Sequence, residues 1–214
     1  MDAPSSAMDS LSVALKSKII PNQEYFLQGS VLDSAVETLL HRLRGLCDNI
    51  DTGPEQFNDH EMCFSIRKGP PPEVPLSLRV RRALDMIDMP WQLRYIGQPE
   101  LGDKSQPTMV RSSLDVATSN TVVEFLTGMG FNLDFEYIIR GFMFLKGRMK
   151  VTVSKILKMN QGKADVEAIS QSYLVELSVL APSGQNAIAE EIKNFAEQLK
   201  PLVQLEKINY SRQH

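Results

Sequence analysis

The sequence predicts a mainly β protein with peripheral helices, its strands forming an antiparallel sheet that closes into a barrel or folds as a sandwich. Three observations carry this expectation. Apolar residues recur with a period of two along most of the chain, turn sequences rich in Gly and Pro separate those runs, and only three stretches switch to helical spacing.

Taken in order, residues 1–21 are mostly small and polar, and the apolar positions from Met8 to Ile20 make at most one weak amphipathic stretch. They are expected to form a flexible amino-terminal segment, mobile without a partner, ahead of a single barrel domain over 22–210. Val36, Leu39, Leu40, Leu43, Leu46, Cys47 and Ile50 then form one apolar stripe, and Ser34 followed by Glu37 reads as a capping box. This predicts a helix from about Ser34 to Asn49, with Gly45 inside it as a weak point. Period-two runs follow at Met62/Phe64/Ile66, Leu76/Leu78/Val80, Trp91/Leu93/Tyr95 and Val110/Leu114/Val116. The Pro-rich stretch from Gly69 to Pro75 reads as a loop between strands. A short helix is expected over Asn120 to Met129. From Asn132 to Arg140, Leu133, Phe135, Tyr137 and Ile139 share one face, while Asn132, Asp134, Glu136 and Arg140 share the other. Val151/Val153/Leu157 and Tyr173/Val175/Leu177/Val179 extend the pattern. The last helix is expected from about Gln185 to Lys200, with Pro201 ending it.

Helices with apolar stripes need an apolar surface, and the outside of a barrel supplies one. On that reading the opposite strand faces turn Arg79, Arg81, Arg94, Arg111, Asp134, Glu136, Arg140 and Lys150 into a polar tunnel. The alternative is that these faces are simply solvated, and alternation alone does not choose between them.

The composition bounds the function. A chain of 214 residues with 43% hydrophobic content builds a real core. No apolar run approaches the roughly 20 residues needed to cross a bilayer, and Asp2 and Asp9 stand where a basic-then-apolar leader would lie. The expectation is a chain neither secreted nor membrane-spanning. Cys47 and Cys63 are read as core thiols in a reducing compartment. A net charge of -3 argues against wholesale nucleic-acid binding.

Catalytic signatures are sparse, and no cofactor is expected. Gly97 to Lys104 has the glycine spacing of a phosphate loop, but Asp103 precedes the lysine and Pro99 interrupts it, so it reads as a turn. His41, His60 and His214 have no metal-ligand spacing. Asp134 and Glu136 share a strand face and match the first half of a Mg²⁺ site. Glu61, Asp115 and Glu176 occur singly on other strands, so the pair is expected to meet neighbouring arginines instead of a metal. A metal-dependent polyphosphate or RNA triphosphatase-like tunnel enzyme is therefore the alternative, and association with other proteins is the primary reading. Phe142, Met143, Phe144 and Leu145 are apolar on both faces of an extended chain and need cover from a helix or a partner. Met86, Ile87 and Met89 lie in a turn-rich segment before Pro90 and Trp91, where flexible methionines suit adaptable contacts. Arg140 to Lys158 contains six basic residues and no acidic one, a match for an acidic partner or phosphate.

Long stretches also resemble the Mediator subunit 18 family. They are Tyr25 to Asn49 (YFLQGSVLDSAVETLLHRLRGLCDN), Pro90 to Lys104 (PWQLRYIGQPELGDK) and, within Ser172 to Ile208, SYLVELSVLAP and KNFAEQLKPLVQLEKI. The resemblance implies an antiparallel barrel with peripheral helices, similar in fold to tunnel-type RNA triphosphatases but without their activity. It also implies a nuclear coactivator subunit of the Mediator head module that helps convey signals from DNA-bound activators to RNA polymerase II. The implied partners are Mediator subunit 20, as a heterodimer, a carboxy-terminal helix of Mediator subunit 8, and other head-module subunits. Neither a membrane nor sequence-specific nucleic acid is among them.

Overall fold

The structure, a computed structural model, describes residues 22–48, 52–67, 75–99, 106–159, 166–182 and 184–208. The amino-terminal segment and most of the Gly69–Pro75 loop lie outside the described residues. In chain order the elements are β1 (Asn22–Leu32), α1 (Val36–Leu46), β2 (Glu55–Ile66), β3 (Leu76–Ala83), β4 (Trp91–Ile96) and β5 (Met109–Thr118). There follow α2 (Val122–Gly128), β6 (Asn132–Lys146), β7 (Met149–Met159), β8 (Val166–Ala168), β9 (Ser172–Pro182) and α3 (Asn186–Gln198).

The strands hydrogen-bond in the order β6-β2-β3-β4-β5-β1-β9-β7, and β6 also pairs with β7. That second pairing closes an eight-stranded antiparallel barrel and rules out the sandwich. Short β8 lies on β7 beside the start of β9. Hairpin β6–β7 turns at Gly147, whose φ of 56 is a left-handed conformation that suits glycine.

Alternation places one apolar set on the outside, under the helices. Leu39, Leu40 and Leu43 of α1 and Ile188, Ile192 and Leu199 in and after α3 pack on Tyr25, Leu27, Phe144, Val151, Val153, Val175 and Leu177. At about 1.5 to 3 kcal/mol for each large buried side chain, this layer is the main source of stability. A second cluster forms where Val122 and Leu126 of α2 cover Met62, Phe64 and Val80. The carboxy-terminal segment lies on β1, with a bridge between Gln28 and Glu206. Gly29 makes this approach possible, because a Cβ there would drive into the Gln204 carbonyl oxygen.

The local expectations hold with shifts at the ends. The first helix opens with a 3-10 turn over Asp33–Ala35, and its Ala35 cap has no side-chain hydrogen bond, so the Ser34–Glu37 capping box does not form. The second and third helices are shorter at both ends than their apolar stripes suggest.

Candidate functional site

Paired residues on neighbouring strands share a face, so the register can be followed around the barrel. Glu24 pairs with Arg111 between β1 and β5, Arg94 with Asp115 between β4 and β5, and Arg79 with Arg94 between β3 and β4. Glu61 of β2 lies between Arg81 of β3 and Tyr137 of β6. Thr152 of β7 pairs with Glu176 of β9, and Glu176 with Gln28 of β1, which completes the circuit. The other face carries the helix-covered core, so these groups line the lumen.

The lumen is charged, and most of its groups are paired across strands. Arg111 Nε donates to Glu24 Oε2 at 2.7 Å, and its guanidinium stacks over the Phe26 ring. Arg94 makes two parallel bonds to Asp115, at 2.6 and 2.7 Å. Glu61 accepts from Arg81 through two nitrogens and from the Tyr137 hydroxyl at 2.7 Å, with Arg79 at 3.8 Å. Gln28 donates to Glu176 at 2.6 Å. Burial works to raise the Glu61 pKa, but Arg81 and the Tyr137 hydroxyl outweigh it and hold the carboxyl below its ordinary range. The Asp115 carboxyl is likewise held down, against burial, by Arg94. Burial and the Glu61 charge push the Tyr137 phenol up. The Lys150 ammonium is pushed down by burial and then by Arg94 and Arg81. Every arginine of the lumen thus reaches a carboxylate, with Glu24, Glu61 and Asp115 held by arginines and Glu176 by Gln28. Among the described residues no group of three His, Cys, Asp or Glu side chains converges to hold a metal ion.

This geometry corrects part of the tunnel expected from the sequence. Arg79, Arg81, Arg94, Arg111 and Lys150 face inward, but Glu136 and Arg140 do not. Register with β2 sets the parity of β6: Tyr137 sits opposite Glu61, so Glu136 turns outward to His60, at 2.9 Å, and Arg140 bonds Asn58 Oδ1 at 3.3 Å. Asp134 falls where the β2–β6 register shifts and forms no ion pair among the described residues, so neither carboxylate meets an arginine. The apolar appearance of Phe135 and Tyr137 hid the inversion, because the phenol hydroxyl serves a buried carboxylate.

The candidate contact residues separate. Phe144 is fully buried under the protein's own helices and Phe142 packs beside it, so this chain itself supplies the cover that Phe144 needs. Leu145, on the opposite face of the strand from Phe144, is 41% exposed, and Met143 is half-buried. Between β3 and β4, Met86, Ile87 and Met89 are exposed, Ile87 at 90%. Trp91 is half-buried, with Arg82 5.2 Å above its ring. An exposed pair, Phe125 on α2 and Met129 just after it, and an outward patch of Tyr95, Leu114 and Val116 on β4–β5 went unrecognised. Strand alternation names the patch, but only the placement of the helices shows that it is left uncovered. Burial pushes the Cys47 and Cys63 thiols up to about 11. Both remain protonated at neutral pH.

A profile of the Med18 protein family matches residues 23–212. The mosquito Aedes aegypti has a relative named Mediator of RNA polymerase II transcription subunit 18, 67% identical over 98% of this chain and 95% of its own length. The frog Xenopus laevis has a relative of the same name, 54% identical over 88% of this chain and 90% of its own. Among solved structures, a chain of the Schizosaccharomyces pombe Mediator head module superposes with a TM-score of 0.69 at 21% identity, covering 87% of this chain and 98% of that one. That similarity is one of fold.

Proposed function

The chain belongs to the Med18 protein family, and from that premise we propose that it is a non-catalytic subunit of the Mediator head module. It links transcription factors to RNA polymerase II through protein contacts, and it works in the nucleus. The observation that carries this reading is the 67% identity over 98% of the chain to a relative named as a Mediator subunit. The lumen is consistent with it, since the carboxylates of Glu24, Glu61 and Asp115 are each paired with an arginine and no group of three His, Cys, Asp or Glu side chains converges among the described residues. The proposed partners are Mediator subunit 20, as a heterodimer, and the carboxy-terminal helix of Mediator subunit 8. Candidate contact residues are Met86, Ile87, Met89, Trp91 and, at the exposed end of β6, Leu145, with Phe142 at the core edge; Met143 shares the luminal face of β6 with Tyr137 and lies opposite Thr152, so its side chain is turned away from such a surface. A buried Phe144 takes part only by holding that edge in place.

Co-expression with subunits 20 and 8 tests the reading. A stable ternary complex on gel filtration is expected, and Ile87→Asp should weaken it while leaving thermal unfolding unchanged, because Ile87 is exposed. Phosphate release from triphosphate substrates with Mg²⁺ or Mn²⁺ should stay at the background rate. Release that is lost on Glu61→Gln in a folded protein would overturn the non-catalytic assignment.

A further inference from the structure

On the outer face of β6 and β7, Arg140 and Lys155 lie directly opposite one another. Like charges in that position repel, and folding alone gives no reason to keep them there. Lys155 is neutralised: its ammonium meets Asp33 at 2.5 Å and rests over the Tyr173 ring at 4.9 Å. Arg140 is not. It is exposed, its bond is to the neutral Asn58 amide oxygen, and it forms no ion pair among the described residues. Both cations line a groove of about 450 Å³ whose walls include Phe57, Phe142 and Tyr173. Asp85 stands on the rim without pairing to Arg140, and the chain continues from it into the exposed Met86 and Ile87. The site therefore offers one guanidinium without an ion pair among the described residues, a lysine opposite it already held by Asp33, and aromatic walls.

We propose that this groove binds an acidic segment of a partner protein, one Asp or Glu carboxylate pairing with Arg140 while a neighbouring apolar side chain seats between Phe142 and Tyr173. A guanidinium takes a carboxylate through two parallel bonds, which fits a protein side chain held at a fixed orientation. The aromatic walls give the adjoining apolar group a place that free phosphate has no means to use. The inference rests on the groove itself, so its failure leaves the Mediator assignment standing.

The test uses the full chain and a labelled synthetic peptide with Glu residues flanking one Phe, followed by fluorescence anisotropy up to millimolar protein. A Gln-for-Glu version of the peptide and an oligouridylate serve as comparison probes. Binding of the acidic peptide is expected, with affinity falling about tenfold in Arg140→Gln and further in Arg140→Glu. Arg140 is exposed, so both variants should keep the wild-type melting temperature, and Arg140→Lys should recover only part of the affinity. Absence of peptide binding, equal binding of the Gln peptide, or equal binding by Arg140→Gln would each overturn the proposal. Tighter, Arg140-dependent binding of oligouridylate would overturn it in favour of nucleic acid.

Discussion

Replacing Glu61 by Gln keeps the side-chain shape and removes one negative charge from the lumen. The residue is 2% exposed and anchors Arg81 and the Tyr137 hydroxyl, with Arg79 more distant. Without it Arg81 keeps only the 3.8 Å approach to Asp59, in an interior that also holds Arg94 and Lys150. Removing one partner of a buried ion pair costs about 3 to 5 kcal/mol, because the remaining charge stays desolvated and unmatched. Tyr137→Phe removes one hydrogen bond to a charged group and should cost about 1.5 to 3 kcal/mol. The two residues are partners in one hydrogen bond, so the double variant should lose less than the sum of the singles. Trp91, the only tryptophan, reports unfolding in urea by its fluorescence. The pH dependence has a definite sign. A carboxylate whose folded pKa is depressed contributes fully above its unfolded value near 4.5, and the contribution is lost as pH falls through the lower folded value. As pH falls below about 5, the wild type should therefore lose stability more steeply than Glu61→Gln. A Glu61→Gln protein within about 1 kcal/mol of wild type at pH 7 would refute the account of the lumen as a buried, mutually dependent charge network.

Phe144→Ala should cost about 3 to 5 kcal/mol in the same urea assay, and Phe144→Asp should prevent folding, as expected for a side chain sealed beneath α1 and not one displayed to a partner. Gly45→Ala should stabilise the protein by about 0.5 to 1 kcal/mol, since the glycine is helical, exposed and has open space where a Cβ would stand. Gly29→Ala should lift the carboxy-terminal segment off β1, seen as lost hydrogen-exchange protection at Glu206, whose amide bonds the Gln28 carbonyl.

Strand existence was legible wherever one face is apolar and the other polar, as along Val151/Val153 or Val175/Leu177, because burial under helices imposes that contrast. It failed for β1. Tyr25, Phe26 and Leu27 are consecutive and all buried, two facing the helix layer and Phe26 facing the Arg111 guanidinium in the lumen, so no alternation survives. Short β8 has too few residues to carry a pattern. In the candidate site the arginines of the lumen could be named from parity on β3, β4 and β5. The parity of β6 could not, because a register shift beside Cys63 and a phenol that reads as apolar both mask it. The doubly apolar segment from Phe142 to Leu145 showed that cover was needed on a face, but which element provides it depends on contacts far apart in sequence. Arg140 was legible as the start of a basic run suited to an acidic partner or phosphate, but its place opposite Lys155 comes from the register, and its lack of an ion pair among the described residues comes from the folded side chains.

The charge in the lumen follows from the way the barrel is covered. Once α1, α2 and α3 claim the apolar faces, the polar faces of the same strands must converge on a narrow interior. Convergence at that density is tolerable only if opposite charges meet, since an unpaired buried charge costs several kcal/mol. Three cross-strand pairs meet this condition, Glu24 with Arg111, Asp115 with Arg94 and Glu61 with Arg81, each fixed by register instead of by side-chain search; Arg79 shares Glu61 at 3.8 Å, and Lys150 forms no ion pair among the described residues, its ammonium pushed down by burial and the neighbouring arginines. Ile87, Leu114, Phe125 and Arg140 are exposed on the outside and at the rims, and substitutions there should change association without changing the fold.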